Sequence, residues 1–390
     1  MRFKASRPLN VLTAAGDLVL YRRYYWGRGG GCYPSDQRAG IDAQSVSPGA
    51  RELCCIMGLS SDFRAASANL KRVGGLCVCR ERLRQIVERE AGAVAAGRDA
   101  GVIAASWSAK AAALEKNRLY VGVDGLLVRT VTQGEKDKRR KAHAKRRQSR
   151  GKAGIANAKK LPAPRPGTDQ TFKEIKFAVF YDQPKNHRHL LGTAGDGSEL
   201  GAKLRRHAAQ VGIDYVKQKV AITDGAPWIA RQLQINLPML SGHVLDFYHL
   251  AEHVHGAARV CLGEDGATSV WAHARLKEIK QEGPAAALAA IATLAKSLRA
   301  PLKREALRQL RGYIEDRLEM LDYQRFRRRG WDIGSGPTEA GGKDLAARIR
   351  GVGMKWDLDH AADMMNLQAL YESSQANAYW KAQSAVVSLN

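Results

Sequence analysis

The sequence is poor in acidic residues, in pairable thiols and in long apolar runs. Thirty-eight Asp and Glu face 63 Lys and Arg, a formal charge of +25 with a pI near 10.0. So one-sided a balance leaves a positive field that a polyanion would neutralise, and nucleic acid is the usual one. No apolar run approaches the ~18 residues of a spanning helix, and the first residues lack a signal-type apolar core. Neither a membrane partner nor export is therefore expected, and a cytoplasmic location is. The six cysteines are Cys32, Cys54, Cys55, Cys77, Cys79 and Cys261. They include no C-x-x-C pair, so a structural zinc site has little support. Their adjacent and alternate spacings make no disulfide framework, which leaves reduced thiols. No internal repeat is present. The 45% hydrophobic content is ordinary for a folded protein, and 390 residues are material for two or three domains.

Residues 1–48 read as a small hairpin about a Gly16–Asp17 turn, then a glycine-rich stretch from Gly27 to Gly31 and a loop from Pro34 to Pro48. Residues 49–117 read as helical. Phe63, Ala66, Leu70 and Val73 recur on one helix face, Gly74 and Gly75 break it, and a second helix starts near Arg80 with Leu83, Ile86 and Val87 inward. Two helices joined this way suggest a helix-turn-helix whose outward Arg80, Arg82, Arg84 and Gln85 are candidate DNA contacts. Leu119–Val123 and Leu126–Val131 read as two adjacent buried strands. Between Gly134 and Gly167 lie Lys138–Lys141, Lys145–Arg147, Pro162, Pro164 and Pro166. Like charges that dense predict a mobile basic arm. A strand over Glu174–Tyr181, a helix at 198–210, strands at Val220–Thr223 and His243–Phe247 and helices after each predict a mixed α/β sheet. Residues 251–329 read as an all-helical insertion, and a last helix carries Glu339 and Lys343.

Asp124 and Asp224 each end an apolar strand and each precede glycine. An ionised carboxylate leaving a buried strand needs a partner or a metal, and the glycine leaves room for a ligand. A strand-to-turn Asp-Gly is also a common connector. Glu339 lies in the first turn of its helix, where a capping carboxylate is equally favoured. Brought to one sheet edge, these three carboxylates could hold two Mg2+ or Mn2+ ions about 4 Å apart, a clamp for displacement at phosphorus.

Five blocks, Tyr120–Gly125, Ile222–Ile229, Leu245–His249, Ile333–Glu339 and Gly351–Trp356, stand in an order that resembles the ISKra4-type insertion-sequence transposases. The resemblance spans about Tyr21 to Trp356. It implies an RNase H-like DDE core over 118–250 and 330–360, interrupted by the helical insertion, with 361–390 as a C-terminal helix and tail. Asp124, Asp224 and Glu339 are then the metal-binding triad, with two divalent ions as cofactors. Asp246 and His249 match a D-x-x-H pattern with a structural, DNA-positioning or chemical role. Lys343, Arg348, Arg350, Lys355 and Trp356 would flank the site as phosphate and base-stacking contacts. The implied activity is binding of double-stranded element-end DNA, cleavage to a 3′-OH and joining to target DNA by a dimer or higher oligomer, nucleoid-associated when bound. The chain departs from the family where Arg23–Tyr25 runs on to Cys32 alone before Pro34, in place of a C-x-x-C finger. No zinc is expected, and His249, His253 and His255 with Cys261 do not make a convincing site. The lost finger motivates an alternative, a catalytically inactive DNA-binding descendant; an RNase H-like nuclease without strand transfer is a third reading.

Overall fold

The computed structural model describes residues 1–112, 114, 117–149 and 170–385. They fall into two units: Met1–Ala104, Leu126–Ile175 and Asp344–Asn390 in the first, Ala105–Gly125 and Lys176–Lys343 in the second. The first unit opens with an antiparallel sheet, β1 (Arg2–Thr13), β2 (Gly16–Gly27) and β3 (Gly30–Cys32). The hairpin is longer than the sequence predicts. β1 reaches back to Arg2, paired with Trp26, through Arg and Lys positions that carry no apolar alternation. Its turn is Ala14–Ala15, with Gly16 following at φ 112°.

A short helix, α1 (Pro34–Arg38), precedes α2 (Pro48–Ser60), α3 (Phe63–Gly74) and α4 (Arg80–Asp99). Ser47 caps α2, with Pro48 at its first position. The Asp62 carboxylate accepts the Arg64 and Ala65 N–H groups at the start of α3, and Gly75 ends that helix at φ 65°, in the left-handed region. Ala66, Leu70, Leu83, Ile86 and Val87 are buried as their spacing predicts, but Val73 is 86% exposed. It sits in the last turn of α3, past the reach of the core. All six cysteines are free, and burial pushes the Cys54 thiol up to about 12.

Then follow α5 (Ala109–Ala112), β4 (Arg118–Arg129) and α6 (Gln133–Gln148). β4 is one continuous strand where two had been expected: Asp124 and Gly125 interrupt the apolar pattern without breaking the extended backbone. α6 occupies the first half of the predicted mobile arm. Its charges stay in solvent, as their density requires, while Lys136 pairs with Asp357 and Glu135 with Lys355. Residues 150–167 of that arm, with its prolines, lie outside the described residues.

The remaining elements are β5 (Phe172–Asp182), β6 (Arg188–Thr193), α7 (Gly197–Gln210), β7 (Gln218–Thr223), α8 (Pro227–Asn236), β8 (Gly242–Leu245), α9 (Phe247–Leu262), α10 (Gly266–Gln281), α11 (Pro284–Ser297), α12 (Pro301–Glu315), α13 (Tyr323–Arg328), α14 (Gly336–Ala346), α15 (Leu358–Glu372) and α16 (Ala376–Ala385). The fold is thus mixed α/β, with a five-stranded sheet in the order β6-β5-β4-β7-β8. β6 pairs antiparallel with β5, while β4, β7 and β8 are mutually parallel. β6 had not been predicted, because five consecutive buried residues from His189 to Thr193 show no alternation. Among the described residues no helix is long and apolar enough to cross a membrane.

The two faces of this sheet are lined by alternate residues. Leu119, Val121, Val123, Ala178, Phe180 and Ala221 join one apolar cluster with Leu200 and Leu204 of α7 and Ile229 and Leu233 of α8. Tyr120 and Gly122, of opposite parity, lie on the other face. There Tyr120 stacks on Tyr181 with ring centroids 5.2 Å apart.

Candidate active site

Register brings two of the predicted carboxylates side by side. Val123 pairs with Thr223, and Thr223 pairs with Leu245. Asp124, Asp224 and Asp246 are therefore the next residues on three neighbouring parallel strands, at the carboxyl ends of β7 and β8, where open α/β sheets place their ligands. They share the parity of Tyr120 and Gly122, not of the α7–α8 cluster. Asp124 Oδ1 accepts the Gly125 N–H at 2.6 Å. Beyond Thr223 the chain turns out of the sheet through Gly225 at φ 75°, and Asp224 Oδ1 accepts the Ala226 N–H at 2.9 Å.

The segment from Arg329 to Thr338 leads into the helix that carries Glu339 and is pinned at successive points. Buried Arg118 donates to the carbonyls of Arg329 and Gly330. Tyr120 Oη accepts the Asp332 N–H at 3.0 Å, and the Trp331 indole donates to Gln218 at 3.0 Å. The Ile333 carbonyl then accepts the Phe247 N–H at 2.9 Å, and Ser335 Oγ donates to Asp246 Oδ2 at 2.5 Å. Finally Thr338 lands on Gly122, where an added Cβ would lie 1.8 Å from its hydroxyl oxygen. Gly341 and Gly342 let α14 lie close over Leu190 and the Phe177 ring, which added Cβ atoms would approach to 3.0 and 2.7 Å. Glu339 follows Thr338 directly. Its side chain is 51% exposed and lies 4.0 Å from the Lys343 ammonium. An exposed i,i+4 pair is worth only about 0.3–0.5 kcal/mol, so little holds Glu339 in that rotamer. As they stand, no three His, Cys, Asp or Glu side chains among the described residues are grouped to hold a metal ion.

Asp246, 4% exposed, is satisfied by the Ser335 hydroxyl and the Tyr248 N–H at 3.0 Å, and it makes no bond to His249. His249 Nε2 instead lies 3.3 Å from His253 Nε2. This leads to a group whose other members, Tyr313 and Arg317, carry no signal in the sequence. His253 stacks on Tyr313 at 3.9 Å, the Tyr313 hydroxyl donates to the Asp224 carbonyl at 3.2 Å, and Arg317 Nε donates to the Gly225 carbonyl at 3.0 Å. The Arg317 guanidinium also lies over the Tyr313 ring at 4.1 Å. His253 of α9, Tyr313 of α12 and Arg317 just past α12 thus brace the Asp224 turn. Burial first, then the positive field of His249 and Arg317, lowers the His253 pKa from its ordinary value. Burial also raises the Tyr313 hydroxyl well above the ordinary phenol range. His255 faces His273, and buried Cys261 donates to the Lys303 carbonyl, so these residues do not gather with His249.

The other candidates belong to different elements of the chain. Arg80 and Gln85 are exposed on α4, Arg84 is held by Glu81 and Glu88, and Arg82 sits within electrostatic reach of Cys54. Lys343 is exposed on α14. Arg348, Arg350, Lys355 and Trp356 belong to the first unit; Arg350 is exposed, whereas Arg348 and Trp356 are 5% and 7% exposed. Compared with known proteins, the chain matches no family model and no curated protein.

Proposed function

We propose that this chain is a DDE transposase that binds element-end DNA, cleaves a phosphodiester to free a 3′-OH and joins that end to target DNA. Asp124, Asp224 and Glu339 are its carboxylates, for two divalent ions, Mg2+ or Mn2+. The sheet with α14 across it is then an RNase H-like core, and α9 to α13 are its helical insertion. One observation carries the reading. Asp124 and Asp224 follow a matched register pair on adjacent parallel strands, and the helix bearing Glu339 is seated on Gly122 of the same strand as Asp124.

The donor set fits such ions, because all three side chains offer oxygen alone. Bound there, the ions would supply Lewis-acid stabilisation of the attacking and leaving oxygens. The chain's own residues do the positioning. Tyr313 and Arg317 fix the backbone carbonyls on either side of the Asp224–Gly225 peptide, so the carboxylate is presented without reorganisation. Asp246 fixes Ser335, and through it the start of α14. Glu339 completes the set by leaving Lys343, a rotation that costs little. The formal charge of +25 supplies the attraction for DNA.

The test is cleavage and joining of duplex DNA carrying the element's terminal repeats, with Mn2+ and purified protein. Asp224→Asn lowers the cleavage rate by about a thousandfold, roughly 4 kcal/mol of transition-state stabilisation, and leaves the urea midpoint within about 1 kcal/mol of wild type. Full activity in that variant refutes the proposal. The outward rotamer of Glu339 favours one second reading, a DNA-binding descendant without catalysis. It predicts tight, steeply salt-dependent DNA binding and no metal-dependent cleavage. Joining of pre-cleaved ends separates a transposase from a simple RNase H-like nuclease.

A further inference from the structure

The first unit contains a cavity of about 460 Å3 between α3, α4, α6 and the segment from Arg348 to His360. Its size falls within the range of small-ligand sites, roughly 300–1,000 Å3. Its acids are already engaged: Asp62 caps α3, Glu88 holds Arg84, and Asp357 holds Lys136. Two of its guanidiniums make no ion pair, although the Asp62 charge acts on Arg348 from beyond pairing distance. Among the described residues neither Arg348 nor Arg139 has a carboxylate within ion-pair distance.

Arg348 is the unusual one. It is 95% buried, a state in which charged side chains are almost always paired. Its Nε donates to the Gly58 carbonyl at 2.5 Å and its Nη1 lies 2.8 Å from the Met354 sulfur. Its guanidinium stacks between aromatic rings, 4.7 Å from Phe63 and 5.0 Å from Trp356. That leaves Nη2 with no protein partner among the described residues. The Trp356 indole N–H, in the wall of the same cavity, has none either. A clamped, buried guanidinium with one nitrogen to spare, beside exposed Arg139 and an apolar wall, matches the planar recognition of a phosphate next to a sugar or base.

We propose that this cavity binds a phosphate group of a DNA strand. Arg348 and Arg139 hold the phosphate oxygens, and Phe63, Met354 and Trp356 line the space for the adjoining sugar or base. The phosphate chemistry stands on the cavity alone; its assignment to DNA rests on the transposase reading.

The test uses the full-length protein and two variants, Arg139→Gln at an exposed position and Arg348→Lys, which keeps the charge and removes the fork. Calorimetric titration with inorganic phosphate, against sodium chloride at equal ionic strength, reads the cavity directly. Each variant weakens phosphate binding roughly tenfold or more. A 5′-phosphorylated oligothymidylate reads the source of the phosphate. In Arg139→Gln its log-log salt slope falls by about 0.7, one single-strand contact. Unchanged phosphate affinity in both variants overturns the site. Lost phosphate affinity with an unchanged oligonucleotide slope overturns the DNA assignment in favour of free phosphate. Failure of the transposase reading would appear separately, as full cleavage by Asp224→Asn.

Discussion

Gly122→Ala tests whether the seat of α14 on β4 positions the third carboxylate. The new methyl would lie 1.8 Å from Thr338 Oγ1, 2.8 Å from its Cβ and 2.9 Å from its Cγ2. Rotating Thr338 moves the hydroxyl and the methyl but not Cβ, which remains well inside the ~3.5 Å of ordinary carbon contact. The start of α14 must therefore lift by roughly 0.7 Å. Overpacking of this kind costs about 1–3 kcal/mol, read as a lower urea midpoint. Displacing Glu339 by a comparable distance costs up to about a hundredfold in rate, read as slower Mn2+-dependent cleavage. Thr338→Ala alone is close to neutral, because its buried hydroxyl has no partner among the described residues. Combined with Gly122→Ala it recovers part of both losses, since the Cβ contact persists. An unchanged midpoint and rate in Gly122→Ala would refute the reasoning.

Ser335→Ala removes the hydroxyl that satisfies buried Asp246 Oδ2 and should cost about 1–3 kcal/mol by urea denaturation; no loss would show that the bond does not anchor α14. Tyr313→Phe removes the hydrogen bond to the Asp224 carbonyl and should cost about 0.5–1.5 kcal/mol of stability with a larger proportional fall in cleavage rate; an unaffected rate would release Tyr313 from its positioning role. His243, whose Nε2 lies 2.7 Å from the Thr223 hydroxyl, has its pKa lowered by burial from 6.5 to about 4. Folding therefore favours the neutral ring: its contribution is complete above about pH 6.5, declines as the pH falls and is lost through about pH 4, with a ceiling of roughly 3 kcal/mol. Urea midpoints across that window should fall for wild type and flatten in His243→Gln; parallel curves would contradict it.

Much of the sheet was legible because its strands are short apolar runs that end at polar residues. Val220–Thr223 before Asp224 announces itself in this way, and Glu174–Tyr181 does so by the alternation of Ile175, Phe177, Val179 and Tyr181. The boundary at Asp124 misled because an Asp-Gly pair also occurs inside an unbroken strand when the next strand ends beside it. The basic run after Gly134 misled similarly, since like charges forbid packing on a core but do not forbid an exposed helix. In the candidate site, the aspartates were legible from their strand positions. Tyr313 and Arg317 were not, because an aromatic residue in an amphipathic helix and a basic residue just past its end reveal nothing of what the helix packs against. Arg348 was named only through the resemblance; its burial between two rings was not legible, because one of them, Phe63, lies about 285 positions away in sequence.

The most direct measurement of the central claim is anomalous diffraction from crystals of the protein soaked in MnCl2. The account predicts two manganese peaks, both within coordination distance of carboxylate oxygens from Asp124, Asp224 and Glu339, with Glu339 turned away from Lys343. Manganese bound only elsewhere, or a wild-type pattern in crystals of Asp224→Asn, contradicts it.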